Sequence, residues 1–228
     1  MPAPKQRKIA IVGSRAVGKS SLTVQFVDGH FVDSYYPTIE NTFSKIIRYK
    51  SQDFATEIID TAGQVGPNTS FLSPTTIIAP VPPPPQPMRY PHPRPLSSTP
   101  GLPDAQDEYS ILNSKHFIGI HGYMIVYSVA SKQSFETVRI IRDKILNHLG
   151  VEEVPLVLVG NKSDLPPQQR QVTDADGKKL AEEFGCGWTE ASARYNENVQ
   201  KSFELMVAEV EKGQNPGEPA GGNKCIMM

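Results

Sequence analysis

The clearest chemical signal lies in residues 13–20, whose sequence GSRAVGKS fits the pattern G-x-x-x-x-G-K-[ST]. Gly13 and Gly18 leave room for the backbone to wrap around anionic oxygens, so that successive N–H groups face phosphates. Lys19 adds a positive charge near the β- and γ-phosphates of a nucleotide, and the Ser20 hydroxyl can bind Mg²⁺. An apolar run precedes the segment and a helix-forming run follows it, as a phosphate-binding loop requires. The alternative, a chance match, is disfavoured by the segments described next.

Two further segments supply groups that act on a terminal phosphate. Asp60, which follows a predicted strand, can hold Mg²⁺ through water, and the N–H of Gly63 can reach a γ-phosphate. Gln64 can orient an attacking water molecule. Thr38 ends the loop segment 35–38 (YYPT), where its hydroxyl can bind Mg²⁺ and respond to the presence of the γ-phosphate. We therefore predict a site for a nucleoside triphosphate and its metal ion.

A motif at residues 161–164 is expected to select the base. Residues 161–164 (NKSD) follow an apolar strand, and the Asp164 carboxylate can accept hydrogen bonds from the N1–H and the 2-amino group of guanine. Adenine cannot supply that pair and would leave a buried carboxylate unpaired. Backbone N–H groups of residues 190–194 (EASAR) can reach the guanine O6. The alternative, an ATP-specific enzyme with the same phosphate loop, is disfavoured by Asp164.

Composition narrows the class of partners. The 228-residue chain carries a formal net charge of -1, which gives no reason to expect binding to nucleic acid. No apolar run is long enough to span a bilayer, and the amino-terminal residues lack the apolar segment of a secretory signal. The two cysteines, Cys186 and Cys225, have no metal-ligand spacing and fit a reducing compartment.

Strand and helix patterns must place these residues at one edge of a sheet. The predicted strands are 9–12, 43–49, 54–59, 122–129, 156–160 and 187–190, and the predicted helices are 19–28, 109–117, 131–149, 174–184 and 198–212. Several strands are continuous apolar runs, which is typical of strands covered on both faces. We predict an α/β fold of the P-loop NTPase type, with a mostly parallel six-stranded sheet and helices on both faces. Ligands of such sheets bind beyond the carboxyl ends of the strands, where every motif above falls.

One stretch interrupts this order. Residues 65–106 hold 13 of the 21 prolines and show no periodicity, so we expect them to be extended or disordered. Three interpretations are open: an insertion without a role, a proline-rich docking loop for SH3- or WW-type domains, and a segment absent from the mature protein.

We favour the third interpretation on nucleotide-level grounds. Val65 has codons that begin with GT, Gln106 has a codon CAG, and Pro103-Asp104 can be encoded by a sequence that contains the branch-point-like CTGAC. Removing residues 65–106 joins Gln64 to Asp107 in frame. The hypothesis is a translated, unspliced intron.

Together these motifs resemble those of the Ras superfamily of small GTPases, and most closely the Rheb subfamily. The resemblance covers residues 6–64 and 107–212, and its specific marks are Arg15, the segment 31–43 (FVDSYYPTIENTF) and the segment 107–111 (DEYSI) after the insertion. It implies a GTPase domain at 6–212, interrupted by 65–106, and a flexible tail at 213–228.

The resemblance also implies roles for individual residues. Phe31 is expected to stack on guanine, Val32 to line the ribose, and Tyr35 to close over the phosphates and act with Gln64 in catalysis. The implied metal ligands are Ser20, Thr38 and Asp60, the implied effector-binding residues are Ile39, Glu40, Asn41, Thr42 and Phe43, and the implied nucleotide-binding residues are Ser14, Arg15, Ala16, Val17, Gly18, Lys19, Ser20, Ser21, Phe31, Val32, Tyr35, Pro37, Thr38, Asp60, Gly63, Asn161, Lys162, Asp164, Ser192 and Ala193.

Two features suggest how the protein behaves as a switch. Arg15 stands where Ras has glycine, and a bulky side chain there is expected to crowd Gln64 and slow hydrolysis; the alternative is an exposed arginine without kinetic effect. The chain ends in Cys225-Ile-Met-Met228, a farnesylation signal that follows a Gly-, Pro- and Asn-rich tether. One prenyl chain gives weak, reversible attachment, so we expect the cytoplasmic face of endomembranes.

The sequence therefore predicts a Rheb-like switch that binds GTP with Mg²⁺ and hydrolyses GTP slowly. By resemblance, its partners are GTP and GDP, the TOR kinase complex as effector, a tuberin-type GAP and farnesyltransferase. The alternative is a GTP-binding interaction protein without useful turnover, because the insertion follows Gln64 directly and separates it from the helix at 109–117.

Overall fold

The structure is a computed structural model that describes residues 3–33, 38, 40–63 and 119–214. The strands are β1 (Lys5–Gly13), β2 (Glu40–Tyr49), β3 (Gln52–Thr61), β4 (Gly122–Ser128), β5 (Leu156–Asn161) and β6 (Gly187–Ala191). The helices are α1 (Lys19–Asp28), α2 (Lys132–Leu149), α3 (Asp174–Phe184) and α4 (Val199–Gln214), with a short 3-10 turn at Pro167–Gln169.

The six strands form one sheet in the order β2-β3-β1-β4-β5-β6. Strand β2 runs antiparallel to β3, and the other neighbours are parallel, so the prediction of a mostly parallel six-stranded sheet is confirmed. The carboxyl ends of β1, β3, β4, β5 and β6 consequently meet at one edge of the sheet.

Each face of the sheet has its own apolar core. Alternate residues of β1 show this division, because Ile9 and Ile11 pack in the cluster with α1 and α4, while Ala10 and Val12 pack in the cluster with α2 and α3. The stacked rings of Phe26 and Phe203, with centroids 3.9 Å apart, join α1 to α4. Strands β4 and β5 are buried along their whole length, as their continuous apolar sequences predict.

Local signals explain why two helix predictions match the structure in both bounds. Helix α1 ends at Gly29 and α3 ends at Gly185, each with a positive φ that suits glycine. Helix α3 begins with a capping box in which Thr173 and Asp176 bond to each other's backbone N–H groups. Helix α2 begins at Lys132, one residue later than predicted, because Ser131 is its N-cap.

Other bounds differ from the prediction. Strand β1 begins at Lys5 rather than Ile9, and Lys5 and Arg7 both bind Glu211 of α4, so charged residues extend the strand beyond its apolar run. Strand β2 begins three residues earlier than predicted, because its antiparallel register with β3 pairs Glu40 with Thr61. The predicted helix at 109–117 and the insertion at 65–106 lie outside the described residues.

In the described part of the chain, no helix combines the length and the apolar character needed to cross a bilayer.

Candidate nucleotide-binding site

A cavity of about 680 Å³ opens at the carboxyl edge of the parallel strands. The segments that follow β1, β3, β5 and β6 all reach it, as expected for a ligand site of this fold. Its volume falls in the range of small-molecule and cofactor sites. The lining residues are Arg15, Ala16, Gly18, Lys19, Ser20, Ser21, Phe31, Val32, Asp33, Thr38, Thr61, Ala62, Gly63, Asn161, Lys162, Asp164, Leu165, Ala193 and Arg194.

The loop between β1 and α1 depends on glycine at two positions. Gly13 has φ +149°, and a Cβ there would lie 2.2 Å from the carbonyl oxygen of Val126. Gly18 has φ +93°, and a Cβ there would lie 2.2 Å from the side-chain nitrogen of Asn161. Any other residue would force the loop away from β4 or from the loop after β5, so the glycines of the motif allow the close approach.

Lys19 begins α1 and lies beneath this loop. Its Nζ donates to the carbonyl oxygens of Gly13 and Ser14, at 3.1 and 3.0 Å, and only 5% of the residue is exposed. Burial lowers the pKa of Lys19 to about 8, against the opposing attraction of Asp60. A polyanion in the cavity would stabilise the ammonium, so this side chain is suited to phosphate binding.

Asp60 is fully buried, and neither of its carboxylate oxygens has a hydrogen-bond partner among the described residues. Burial raises the pKa of Asp60, while the nearby Ser20 hydroxyl and Lys19 lower it. The Ser20 hydroxyl is hydrogen-bonded to that of Thr38, with 2.8 Å between the two oxygens, so the two hydroxyls lie side by side near the carboxylate. A buried carboxylate without a partner is costly unless a cation compensates it.

The three predicted metal ligands therefore lie together and fit Mg²⁺. Hard cations prefer oxygen ligands and keep several waters or phosphate oxygens, which matches two hydroxyls beside one unsatisfied carboxylate. Within the described ranges, no group of three His, Cys, Asp or Glu side chains is arranged as a metal site, so a ligand set of that kind is absent there.

The other end of the cavity presents Asp164. Its Oδ1 accepts a 2.6 Å hydrogen bond from the hydroxyl of Ser192, which is fully buried and in turn accepts from the N–H of Tyr195 at 3.2 Å. These bonds fix one carboxylate oxygen and leave the cavity-lining Asp164 able to accept from a ligand. Predicted base-contacting groups from the loops after β5 and β6 are thus brought together.

Asn161 and Lys162 tie the base end of the cavity to the phosphate loop. The side-chain amide of Asn161 donates to the carbonyl oxygen of Val17 at 2.8 Å and accepts from the N–H of Ala193 at 3.2 Å. Lys162, at φ +69°, donates from Nζ to the carbonyl oxygen of Ala16 at 3.0 Å. One asparagine therefore sets the spacing of three loops that surround the cavity.

The loop after β3 packs on the phosphate loop at Gly63. A Cβ on Gly63 would lie 2.4 Å from the Cα and 2.8 Å from the backbone nitrogen of Arg15. Arg15 is exposed and lines the cavity at this contact. The end of the described segment at Gly63 is therefore packed closely against the Arg15 backbone.

The structure brings together most predicted binding residues. Four of them, Ser14, Val17, Asp60 and Ser192, do not line the cavity. The backbone carbonyls of Ser14 and Val17 accept from Lys19 and Asn161, and the Ser192 hydroxyl donates to Asp164, while the Asp60 carboxylate lies buried near Ser20 and Lys19. The Val17 side chain is part of the core. The predicted residues Tyr35, Pro37, Ile39, Gln64 and Cys225 lie outside the described residues.

Arg194 lies in the segment 190–194 that was predicted to reach the guanine O6, and four other lining residues were not predicted as site residues: Asp33, Thr61, Ala62 and Leu165. Each is a neighbour of a predicted residue, so position along the chain was the only signal for them. The predicted effector residues Glu40, Asn41, Thr42 and Phe43 begin the edge strand β2, where Asn41 and Thr42 are exposed.

Comparison with known proteins agrees with this geometry. The model described as Ras family matches residues 8–68 and 104–212, which is most of the chain. The chain belongs to the Ras family. The Ras-family match is interrupted at 69–103, within the proline-rich stretch.

Relatives place this Ras-family chain more closely. It is 61% identical to the small monomeric GTPase RhbA of Aspergillus fumigatus over the full length of both chains. It is 56% identical to the GTP-binding protein rhb1 of Schizosaccharomyces pombe, over 98% of this chain and 97% of that protein. It is 38% identical to the GTP-binding protein Rheb of Homo sapiens over the full length of both. The chain is therefore a Rheb-like small GTPase of the Ras superfamily.

Proposed function

We propose that this GTPase is a signalling switch that binds GTP with Mg²⁺, changes its loops with the state of the γ-phosphate, and hydrolyses GTP slowly. The observation that carries the proposal is one cavity lined at one end by Lys19, with the buried Asp60 carboxylate close to that lysine, and lined at the other end by Asp164. The first pair suits phosphates and a metal ion, and the last suits guanine.

Selection of guanine rests on the acceptor sites that Asp164 keeps. Ser192 donates to only one site of Oδ1, so the two carboxylate oxygens together can still accept from the N1–H and the 2-amino group of the base. The N–H of Ala193 already donates to Asn161, so this loop can offer only its remaining N–H groups to O6. Adenine would present no matching donor pair, which disfavours ATP.

At the phosphate end, the chain supplies charge and positioning. Mg²⁺, held by Ser20, Thr38 and Asp60, would neutralise charge on the β- and γ-phosphates. Lys19 would bind the same oxygens, and the loop N–H groups would hold the phosphates in place. Gln64 would orient the attacking water, with Tyr35 shaping its surroundings.

Slow hydrolysis is part of the proposal because of Arg15. Its backbone lies against Gly63, the residue before Gln64, and from this contact we infer that the arginine side chain would crowd Gln64 and the water that Gln64 positions. A displaced glutamine costs rate, since errors of about 1 Å can cost about a hundredfold. We propose that this crowding biases the protein towards its GTP-bound state.

Signalling would pass through β2. The edge strand exposes Asn41 and Thr42, three and four residues after Thr38, so a partner on this strand would contact residues close in sequence to a proposed metal ligand. We propose the TOR kinase complex as the effector, so that the switch signals growth, and a tuberin-type GAP as the regulator. Binding of the GTP- and GDP-loaded forms to the purified kinase complex tests the effector, and equal binding would contradict it.

The tail would attach the protein to membranes. Helix α4 ends at Gln214, and farnesyltransferase would modify Cys225 beyond it. Because a single prenyl chain binds weakly, we propose reversible attachment to the cytoplasmic face of endomembranes. Cell fractionation of Cys225→Ser tests this, and unchanged membrane partitioning would contradict it.

The second candidate function is a GTP-binding interaction protein without useful turnover. Residues 65–106 begin directly after Gln64, and the family match omits most of them. Lengthening a loop costs only about 2–3 kcal/mol of closure entropy, so the fold would tolerate the insertion better than catalysis would. Both observations also support our hypothesis that these residues are a translated, unspliced intron.

Hydrolysis by the full chain and by a chain lacking 65–106 separates the two functions. We expect the deletion to hydrolyse faster while both chains bind GTP equally tightly. Equal rates would favour the switch for the chain as written. Sequencing of mature mRNA across the junction tests the intron hypothesis. Mature mRNA that codes without interruption for all of residues 65–106 would refute it.

A further inference from the structure

A side chain outside the cavity connects the two loops that would hold guanine. Arg170 follows the 3-10 turn Pro167–Gln169 and belongs to neither loop. Its Nη2 forms an ion pair with Oε1 of Glu190 at the end of β6, and its Nη1 donates at 3.4 Å to the carbonyl oxygen of Ser163 in the loop after β5. Neither Arg170 nor Glu190 lines the cavity.

The backbone that carries Arg170 is itself fixed. The N–H groups of Gln171 and Val172 both donate to the carbonyl oxygen of Val129, at 2.8 and 3.0 Å. The Gln171 side chain accepts from the N–H of Lys132 at 3.0 Å, at the start of α2. Arg170 therefore extends from a backbone segment that is hydrogen-bonded to the residue after β4 and to the start of α2, and this restricts where its guanidinium can lie.

Both contacts lie one residue from groups that would touch the base or support it. Ser163 precedes Asp164, and its own N–H donates to the carbonyl oxygen of Ala191 at 3.1 Å. Glu190 precedes Ala191 and the Ser192 hydroxyl that bonds to Asp164. A shift of either contact would therefore move the Asp164 carboxylate relative to the loop after β6.

The ion pair between Arg170 and Glu190 is largely shielded from solvent. The side chains of Arg170 and Glu190 are only 20% and 16% exposed. Behind them lies the fully buried Tyr127, whose hydroxyl accepts from the indole N–H of Trp188 at 3.1 Å. Partial burial weakens screening by water and salt, so this pair is expected to be stronger than an exposed one.

We propose that Arg170 is a positioning residue that sets guanine selectivity by holding the loops after β5 and β6 in register. The inference rests on the proposed binding of guanine nucleotides. Arg170 does not line the cavity, and its guanidinium fork joins the Glu190 carboxylate near the end of β6 to the backbone carbonyl of Ser163 in the loop after β5.

The test compares GDP with IDP on the full chain. Inosine lacks the 2-amino group, so the ratio of the two affinities measures the bond from that group to Asp164. Members of one hydrogen-bond network couple by amounts that correspond to about 2- to 150-fold in an equilibrium constant, and we expect Arg170→Ala to lower the GDP/IDP ratio about tenfold. Arg170→Lys keeps the charge and loses the planar fork of donors, so its GDP/IDP ratio should lie between those of the wild type and Arg170→Ala.

A cycle with Glu190 distinguishes positioning from general loosening. If the pair acts as one unit, Arg170→Ala and Glu190→Gln together should change the ratio little more than Arg170→Ala alone. Arg139→Ala is the matched control, because it breaks the exposed ion pair with Glu183 between α2 and α3 and should leave the ratio unchanged.

An unchanged ratio of GDP to IDP affinity in Arg170→Ala would overturn the inference, whether both affinities fall by the same factor or neither falls. If Arg170→Ala does not fold, Glu190→Gln alone gives the same decision, since it removes the charge and keeps an acceptor of similar shape. A wild-type chain without preference for GDP over ADP would instead refute the proposed function, so the two failures are distinguishable.

Discussion

Substitution of Gly18 by alanine should damage both stability and nucleotide binding, by two separable effects. The left-handed backbone at φ +93° costs about 1–2 kcal/mol for a residue with a Cβ. The new Cβ would lie 2.2 Å from Nδ2 of Asn161, which must then release the carbonyl oxygen of Val17. A buried hydrogen bond lost in this way costs about 1–3 kcal/mol, so we expect about 2–5 kcal/mol in total.

The chain offers a control that contains only the first effect. Gly29 ends α1 at φ +73°, and a Cβ there would meet nothing within 4 Å. Gly29→Ala should therefore cost only the backbone strain, about 1–2 kcal/mol, and leave nucleotide affinity unchanged. Urea denaturation of the nucleotide-free proteins measures the free energies of unfolding, and release of a fluorescent GDP measures binding, where we expect Gly18→Ala to be at least about tenfold faster.

A second substitution identifies the clash as the cause. Asn161→Ala removes the atom that the new Cβ would strike, so adding it to Gly18→Ala should cost less than adding it to the wild type. Equal free energies of unfolding for Gly18→Ala and Gly29→Ala, or strict additivity in the double variant, would show that the contact with Asn161 carries no weight.

Four further predictions concern residues at the phosphate end of the cavity. Because the pKa of Lys19 is about 8, free protein loses this charge above pH 8, so affinity for Mg²⁺-free GDP should fall about fivefold from pH 8 to 9 in the wild type but not in Lys19→Met. The same shift destabilises the fold below pH 8, because the unfolded lysine titrates at its ordinary 10.5, and the free energy of unfolding should rise from pH 8 towards 10.5. Asp60→Ala should abolish the gain in GTP affinity on adding Mg²⁺ in a titration, and a retained gain would remove Asp60 from the metal site. Arg15→Gly should hydrolyse GTP faster in single-turnover assays, and an unchanged rate would mean that the contact with Gly63 does not slow hydrolysis.

The sequence predicted the fold well because its elements are locally consistent. Glycine at the ends of α1 and α3 and the capping box at Thr173 set helix bounds without help from distant residues. The early starts of β1 and β2 escaped prediction because they depend on tertiary contacts, namely the binding of Lys5 and Arg7 by Glu211 and the register of β2 with β3.

The candidate site divides in the same way. Motif residues such as Lys19, Asp60 and Asp164 were predictable, because their chemistry requires particular residue types at particular strand ends. Arg170 was not, because its partner Glu190 lies 20 residues away and neither residue touches the cavity. Such a contact becomes visible only when the loops after β5 and β6 are placed side by side.

The central claim is that one cavity binds a guanine nucleotide between Lys19 and Asp164. The most direct test is a competition between GTP and ATP for the full chain in the presence of Mg²⁺, measured by calorimetry. A bound base that covers the half-buried Asp164 carboxylate without donating to it leaves that carboxylate unpaired, so we predict a preference for GTP of about 10³-fold or more. Equal affinities for the two nucleotides would contradict the account.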